Sequence, residues 1–154
     1  MIKLPQYSIG EHEQVTLLLH QKREVDYVPR GDDMLPFIRG GKDTLRLQAP
    51  DRPIGRGTIV LAQFPDGNCR LRRVMDRNRN RLYLLKDAAT SWTETEECTM
   101  DDILGRVVFI KRGARRSRPG RGLLWLFLLP LRRYLLPLYK RIWKKNLDKT
   151  LDYD

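Results

Sequence analysis

Pro65-Asp66-Gly67-Asn68 restricts this chain more than any other stretch. Pro, Asp and Gly in succession make a tight turn, because Pro presets one φ, Asp bonds its own backbone and Gly accepts positive φ. An apolar run, Thr58-Ile59-Val60-Leu61-Ala62, precedes it and a second run, Cys69 to Met75, follows. Two such runs joined so closely form an antiparallel hairpin. The same pattern extends outward. Val25-Asp26-Tyr27-Val28 alternates as a strand does, and Asp43-Thr44-Leu45-Arg46-Leu47-Gln48 alternates with Leu45 and Leu47 inward. Asp51 to Gly57 is a turn region with Pro53, Gly55 and Gly57, and Asp76-Arg77-Asn78-Arg79-Asn80 is another turn, followed by the strand Arg81 to Leu85. Gly105 to Ile110 closes the set. Six or seven short strands with tight connections predict a mainly β domain over about 1–112, a coiled antiparallel sheet.

One helix precedes the strands. Ser8 and Glu11 have capping-box spacing, and Val15, Leu18, Leu19 and Lys22 follow i, i+3, i+4, i+7, which predicts a helix over about 9–23. His12 and His20 fall on different faces of it and make a poor metal pair. Thr90 to Asp102 holds Glu94, Glu96, Glu97, Asp101 and Asp102 without ordered ligand spacing, so it reads as a solvated loop rather than a cation site. Cys69 and Cys98 are too few for a disulfide framework and read as structural thiols in a reducing compartment, with a single bridge left open. The chain has no glycine-rich phosphate loop after a strand, no Cys/His metal spacing and no Gly-x-Ser-x-Gly elbow, so no metal and no cofactor is expected. Met1 to Tyr7 has no apolar signal core, which leaves the cytoplasm as the expected location.

The net charge of +11 on 154 residues is concentrated at one end. Residues 1–104 carry 16 Lys+Arg against 16 Asp+Glu, whereas residues 105–154 carry 14 Lys+Arg against 3 Asp. A neutral body with a basic tail implies an anionic partner for the tail. After the basic linker Lys111 to Arg121, residues 113–154 alternate apolar and basic runs: Leu123 to Leu131, then Arg132-Arg133, then Tyr134 to Tyr139, then Lys140-Arg141-Ile142-Trp143-Lys144-Lys145. Neither apolar run reaches the roughly 20 residues of a membrane span. Trp and Tyr beside Lys and Arg suit an interfacial segment, so Trp125, Arg132, Arg133, Tyr134, Lys140, Arg141 and Trp143 are candidate membrane or partner contacts. The competing expectation is that this helical tail packs on the body or on a second copy. Nucleic acid ranks third, because the cations are interleaved with leucine rather than with stacking aromatics.

Gly31-Asp32-Asp33-Met34-Leu35-Pro36 combines a permissive glycine with a stiff proline, and so displays a short side chain on a turn. With Gly41 to Leu45, Gly57-Thr58-Ile59-Val60-Leu61, Leu71-Arg72-Arg73-Val74, Lys86-Asp87-Ala88 and Asp102 to Val107, it resembles the serine peptidases that include type I signal peptidases and LexA-like self-cleaving repressors, over about 9–112. The resemblance implies a peptidase-type coiled β domain and a groove that takes an extended peptide. It places Gly31, Asp32, Met34, Pro36 and Arg73 at the binding region, the nucleophile position at Asp33 and the general-base position at Arg72.

Those last two positions depart from the family, which has Ser at the first and Lys or His at the second. The chemistry needs a hydroxyl to attack a carbonyl and a base to take its proton. A carboxylate repels the developing oxyanion, and a guanidinium stays protonated near neutral pH. Thr58 and Lys86 also replace the family's Asp and Gly. If the fold brings Asp33 and Arg72 together, they should form an ion pair where a serine and a base once met. Ser8, Ser91 and Ser117 have no base candidate beside them. Adjacent Asp32 and Asp33 point to opposite sides of an extended chain and make no aspartic dyad.

The leading expectation is therefore a catalytically inactive relative that binds a peptide or protein segment at a membrane surface, on the inner face of the plasma membrane. An active serine-type endopeptidase is the alternative. A basic adaptor that binds membrane or nucleic acid through its tail is the third reading. The sequence does not specify an oligomeric state.

Overall fold

The computed structural model describes residues 2–4, 17–19, 21, 23–50, 53–120 and 122–151, and the side chains among them except those of 2–4, 123 and 143–151. The expected capping box at Ser8 and Glu11, most of the helix expected over 9–23, both histidines and the Trp143 side chain lie outside this set. A helical turn at 17–19 is described. Its Leu19 is buried and approaches the Gly105 backbone so closely that a Cβ there would lie 3.0 Å from a Leu19 methyl.

Among the described residues nine strands make one open sheet: β1 (Ile2–Leu4), β2 (Val25–Tyr27), β3 (Thr44–Gln48), β4 (Ile59–Gln63), β5 (Cys69–Asn78), β6 (Arg81–Leu85), β7 (Glu96–Thr99), β8 (Ile103–Arg112) and β9 (Arg115–Ser117). The spatial order is β1-β2-β3-β8-β4-β5-β6-β7, with β9 folded back on β8. All pairs are antiparallel except β1 with β2. The mainly β expectation holds.

The register of β4 and β5 is the hairpin that the Pro65–Asn68 turn imposes, with Gln63 opposite Cys69 and Ile59 opposite Arg73. Buried on both faces, β4 sends Ile59 and Leu61 into one core with Leu45, Leu47, Leu71 and Val107. Val60 and Ala62 enter a second core with Ile54, Val74, Leu82 and Ile103. Register shifts at Arg46/Leu47, Leu61/Ala62 and Val74/Asp76 add the local twist that coils the sheet and lets both faces be covered.

Two expectations need correction. The turn at 76–80 is shorter: β5 runs on to Asn78, and only Arg79 and Asn80 turn, with Arg79 at φ 56°. The acidic stretch 90–102 is not a plain loop. It holds β7 between two 3-10 turns, and its acids are used singly: Glu94 and Asp102 cap those turns, Glu96 binds Arg72 and Glu97 lies near Arg81. No group of three or more metal-ligating side chains occurs among the described residues.

The tail is helical, as expected: α1 (Leu123–Phe127), a 3-10 turn at Leu129–Leu131, and α2 (Arg132–Leu151) with Pro137 inside it. No described helix is long and apolar enough to cross a membrane.

Candidate functional site

The segment after β2 turns back sharply. Gly31 takes φ 78°, and Gly40 lies against it so closely that a Cβ at Gly40 would meet the Gly31 oxygen at 2.0 Å. Only glycine fits there. The Gly41 amide donates to the Pro29 carbonyl, 2.7 Å, closing the loop at its neck. Met34, Leu35 and Ile38 are buried and anchor it, with a cis peptide between Leu35 and Pro36. The Ala88 amide donates to the Asp33 carbonyl, 2.9 Å, which fixes the loop at Asp33. With its apolar side chains inward, the loop leaves the Asp32 and Asp33 carboxylates outside.

Arg72 on β5 meets Asp33. Its Nη1 lies 3.2 Å from Asp33 Oδ2 and its Nε 2.6 Å from Glu96 Oε1, while Nη1 also donates to the Leu71 carbonyl. Arg72 is 7% exposed and Asp33 52% exposed, so a nearly buried cation is flanked by two partly solvated acids. The ion pair expected from the resemblance is present. The two residues line a cavity of about 190 Å³ whose walls include Tyr27, Gly31, Met34, Cys69 and Leu71.

Among the described residues that line the cavity there is no serine or threonine. Ser91 caps a 3-10 turn and the Ser117 hydroxyl is directed to the Ile110 carbonyl, 3.5 Å. Among the described lining residues Cys69 carries a thiol, which the sequence reads only as structural. It is a free thiol, as is Cys98. Burial, and secondly the Asp66 charge, push the Cys69 pKa up, which keeps the sulfur protonated and unreactive near neutral pH.

Beside the cavity, β5 has an open edge. Strand β6 pairs with it only from Arg73 onward, opposite Leu85, so Cys69 to Arg72 have β4 on one side and no strand on the other among the described residues.

Arg73 points to the opposite face, as strand alternation requires. Its guanidinium makes two 2.9 Å bonds to Asp87 and also donates to the Gly57 and Gly120 carbonyls; Arg73 and Asp87 are 4% and 2% exposed. Burial pushes the Asp87 carboxyl up, against the pull of Arg73 and then Arg132. The tail closes over this pair. Trp125 Nε1 donates to the Asp87 carbonyl at 2.6 Å. Arg132 donates to the carbonyls of Trp125, Asp87 and Ala89 and stacks 4.9 Å over the Trp125 ring. Its guanidinium pKa is lowered to about 10, first by burial.

Of the residues expected at the binding region, the structure thus gathers Gly31 and Met34 at the cavity with Asp33 and Arg72. Asp32 lies just outside, 3.8 Å from Lys140. Pro36 and Arg73 line a different hollow, against the linker. Of the residues expected at a membrane or partner, Arg132 is 2% exposed and serves the interior, and Trp125 is half-buried with its indole N–H committed to the body. Those two expectations are corrected: Leu129 and Leu136 are buried with them, so this side of the helix packs on the sheet. Arg133, Tyr134 and Arg141 remain exposed.

No protein-family model, no curated protein and no solved structure matches this chain.

Proposed function

We propose that the chain is a catalytically silent homologue of the signal peptidase and LexA-like peptidases, a peripheral protein of the inner membrane face that binds an extended peptide beside Asp33 and Arg72. The observation that carries this reading is the Arg72 guanidinium, held at 3.2 Å from Asp33 and 2.6 Å from Glu96 at the cavity. A cation fixed by two carboxylates cannot accept a proton, and a carboxylate at Asp33 is a poor attacking group on an amide. What remains is recognition. The open edge at Cys69 to Arg72, where the Leu71 carbonyl already accepts from Arg72, offers its remaining backbone groups to an added strand, and the adjoining cavity offers room for a side chain.

Restoration tests the silent-enzyme part. Glu96 would hold a lysine protonated at position 72, so the variant needs Asp33→Ser, Arg72→Lys and Glu96→Gln together. It should gain labelling by a serine-directed acylating probe, while the native chain stays unlabelled. Labelling of the native chain would refute the reading. For recognition, Cys69→Tyr should fill the cavity and reduce retention of a random decapeptide pool on the immobilised chain. Equal retention would refute peptide binding at this site.

A further inference from the structure

Among the described residues, the outer side of the tail packs against nothing. Leu124, Phe127, Leu131, Tyr134, Leu138 and Ile142 recur at intervals of three and four residues, which puts the α2 members on one helix face. All are exposed, from 51% at Leu131 to 80% at Phe127. Leu129, Arg132 and Leu136, on the inner side, are buried. A helix that needs one apolar row for docking on its own sheet and carries a second row outward has a surface to cover. The charges beside that second row are positive: Arg133 and Arg141 are exposed on α2, Arg133 stacked 4.9 Å over the Tyr134 ring. Residues 103–147 contain no Asp and no Glu.

We propose that this outer face docks on anionic lipid. The Phe127, Leu131, Tyr134 and Leu138 side chains enter the boundary between headgroups and acyl chains, and the arginines lie on lipid phosphates. The inference deepens the peripheral-membrane part of the proposed function and does not depend on peptide binding. Charge decides among occupants. A second copy docking through the same face would bring two acid-free basic segments together, whereas an anionic bilayer complements them. A soluble polyanion would answer the arginines but leave the apolar row wet. A helix amphipathic in this way lies in the interface and does not span it.

Co-sedimentation of the full chain with phosphatidylcholine vesicles, with and without phosphatidylglycerol, tests this. The chain should pellet with the anionic vesicles and lose affinity in high salt. Phe127→Ser with Leu138→Ser should weaken binding by about tenfold or more, as should Arg133→Glu with Arg141→Glu. Trp92→Ser, an exposed indole on the body, should leave binding unchanged. Leu124→Ser, at a site already largely in solvent, guards against misfolding as the cause and should also weaken binding. Three results would each overturn the proposal: no pelleting with anionic vesicles, pelleting indifferent to Phe127→Ser with Leu138→Ser, or a lipid-free dimer by light scattering that those substitutions dissociate. Cys69→Tyr should leave vesicle binding intact, so a failure of the peptide reading and a failure of this one are told apart.

Discussion

Arg72 and Arg73 are chain neighbours on one strand and meet opposite environments. Arg72 faces the cavity, where both of its acids touch water; Arg73 faces inward, where its acid does not. The difference sets what each partner is worth. Removing the Asp87 charge leaves a buried guanidinium uncompensated, so Asp87→Asn should lower unfolding free energy by about 3–5 kcal/mol in chemical denaturation. Asp33→Asn removes a half-solvated partner while Glu96 still holds Arg72, and should change stability by less than about 1 kcal/mol. Equal losses would show that the two pairs are not distinguished by burial. The Asp33–Arg72 contact was legible in the sequence only conditionally, through the resemblance of Gly31 to Pro36 and Leu71 to Val74 to a peptidase motif. Glu96 was not, since it sits in what reads as an acidic loop. Nor were the roles of Trp125 and Arg132, because donation to backbone carbonyls leaves no pattern in residue types.

At the scale of elements, strands β3, β4 and β6 can be read directly because alternation or an unbroken apolar run marks them. Strand β7 escapes this reading: Glu96-Glu97-Cys98-Thr99 offers one apolar side chain, and its place at the sheet edge demands no more. The 3-10 turn before it depends on Glu94. Burial alone would raise the Glu94 pKa, but bonds from the Thr90 and Ser91 amides and the nearby Lys86 outweigh it and hold the carboxyl below its ordinary 4.5. A folded value below the unfolded one stabilises above the unfolded value and is lost as pH falls through the folded one. The stability gap between wild type and Glu94→Gln, at most about 1 kcal/mol for a partly exposed cap, should therefore be constant above pH 5 and close below pH 4 in urea titrations. A gap that widens on acidification would contradict this. The tail is held differently, by Arg132 on the Asp87 and Ala89 carbonyls of the body and by Leu129 in the third apolar cluster with Met75, Leu85 and Ala89. Arg132→Ala should release it. Limited trypsinolysis should then cut the arginine-rich linker 111–121 several-fold faster than in wild type, while the sheet persists by circular dichroism. Unchanged cleavage would mean that Arg132 does not fasten the helix.

At the scale of the molecule, the sequence divides the chain near residue 112 into a β body and a basic tail, but the packing crosses that line. Strand β9 lies beyond it and pairs with β8. The Gly120 carbonyl accepts from buried Arg73, and a Cβ at Gly122 would lie 2.9 Å from the Arg73 Nε. Leu129, with Leu126 against it, completes a third core with Met75, Leu85 and Ala89. Charge distribution and cooperative structure thus divide the chain differently: the basic excess begins near residue 105, whereas the buried contacts run on into the tail helix, Arg132 among them. A chain ending at residue 122 keeps every strand, so a body folding independently of the tail would lose nothing. The contacts argue otherwise. Truncation exposes the apolar side chains of the third core and uncovers the Asp87 carbonyl side of the buried ion pair. Burying one leucine contributes about 1.5–3 kcal/mol, so the truncated chain should lose on the order of 3 kcal/mol or more in equilibrium denaturation. The intact chain should unfold in one transition, with far-UV circular dichroism and tryptophan fluorescence coincident. Two separated transitions, or a truncated chain as stable as the whole, would show that the tail is an appendage and not part of the folding unit.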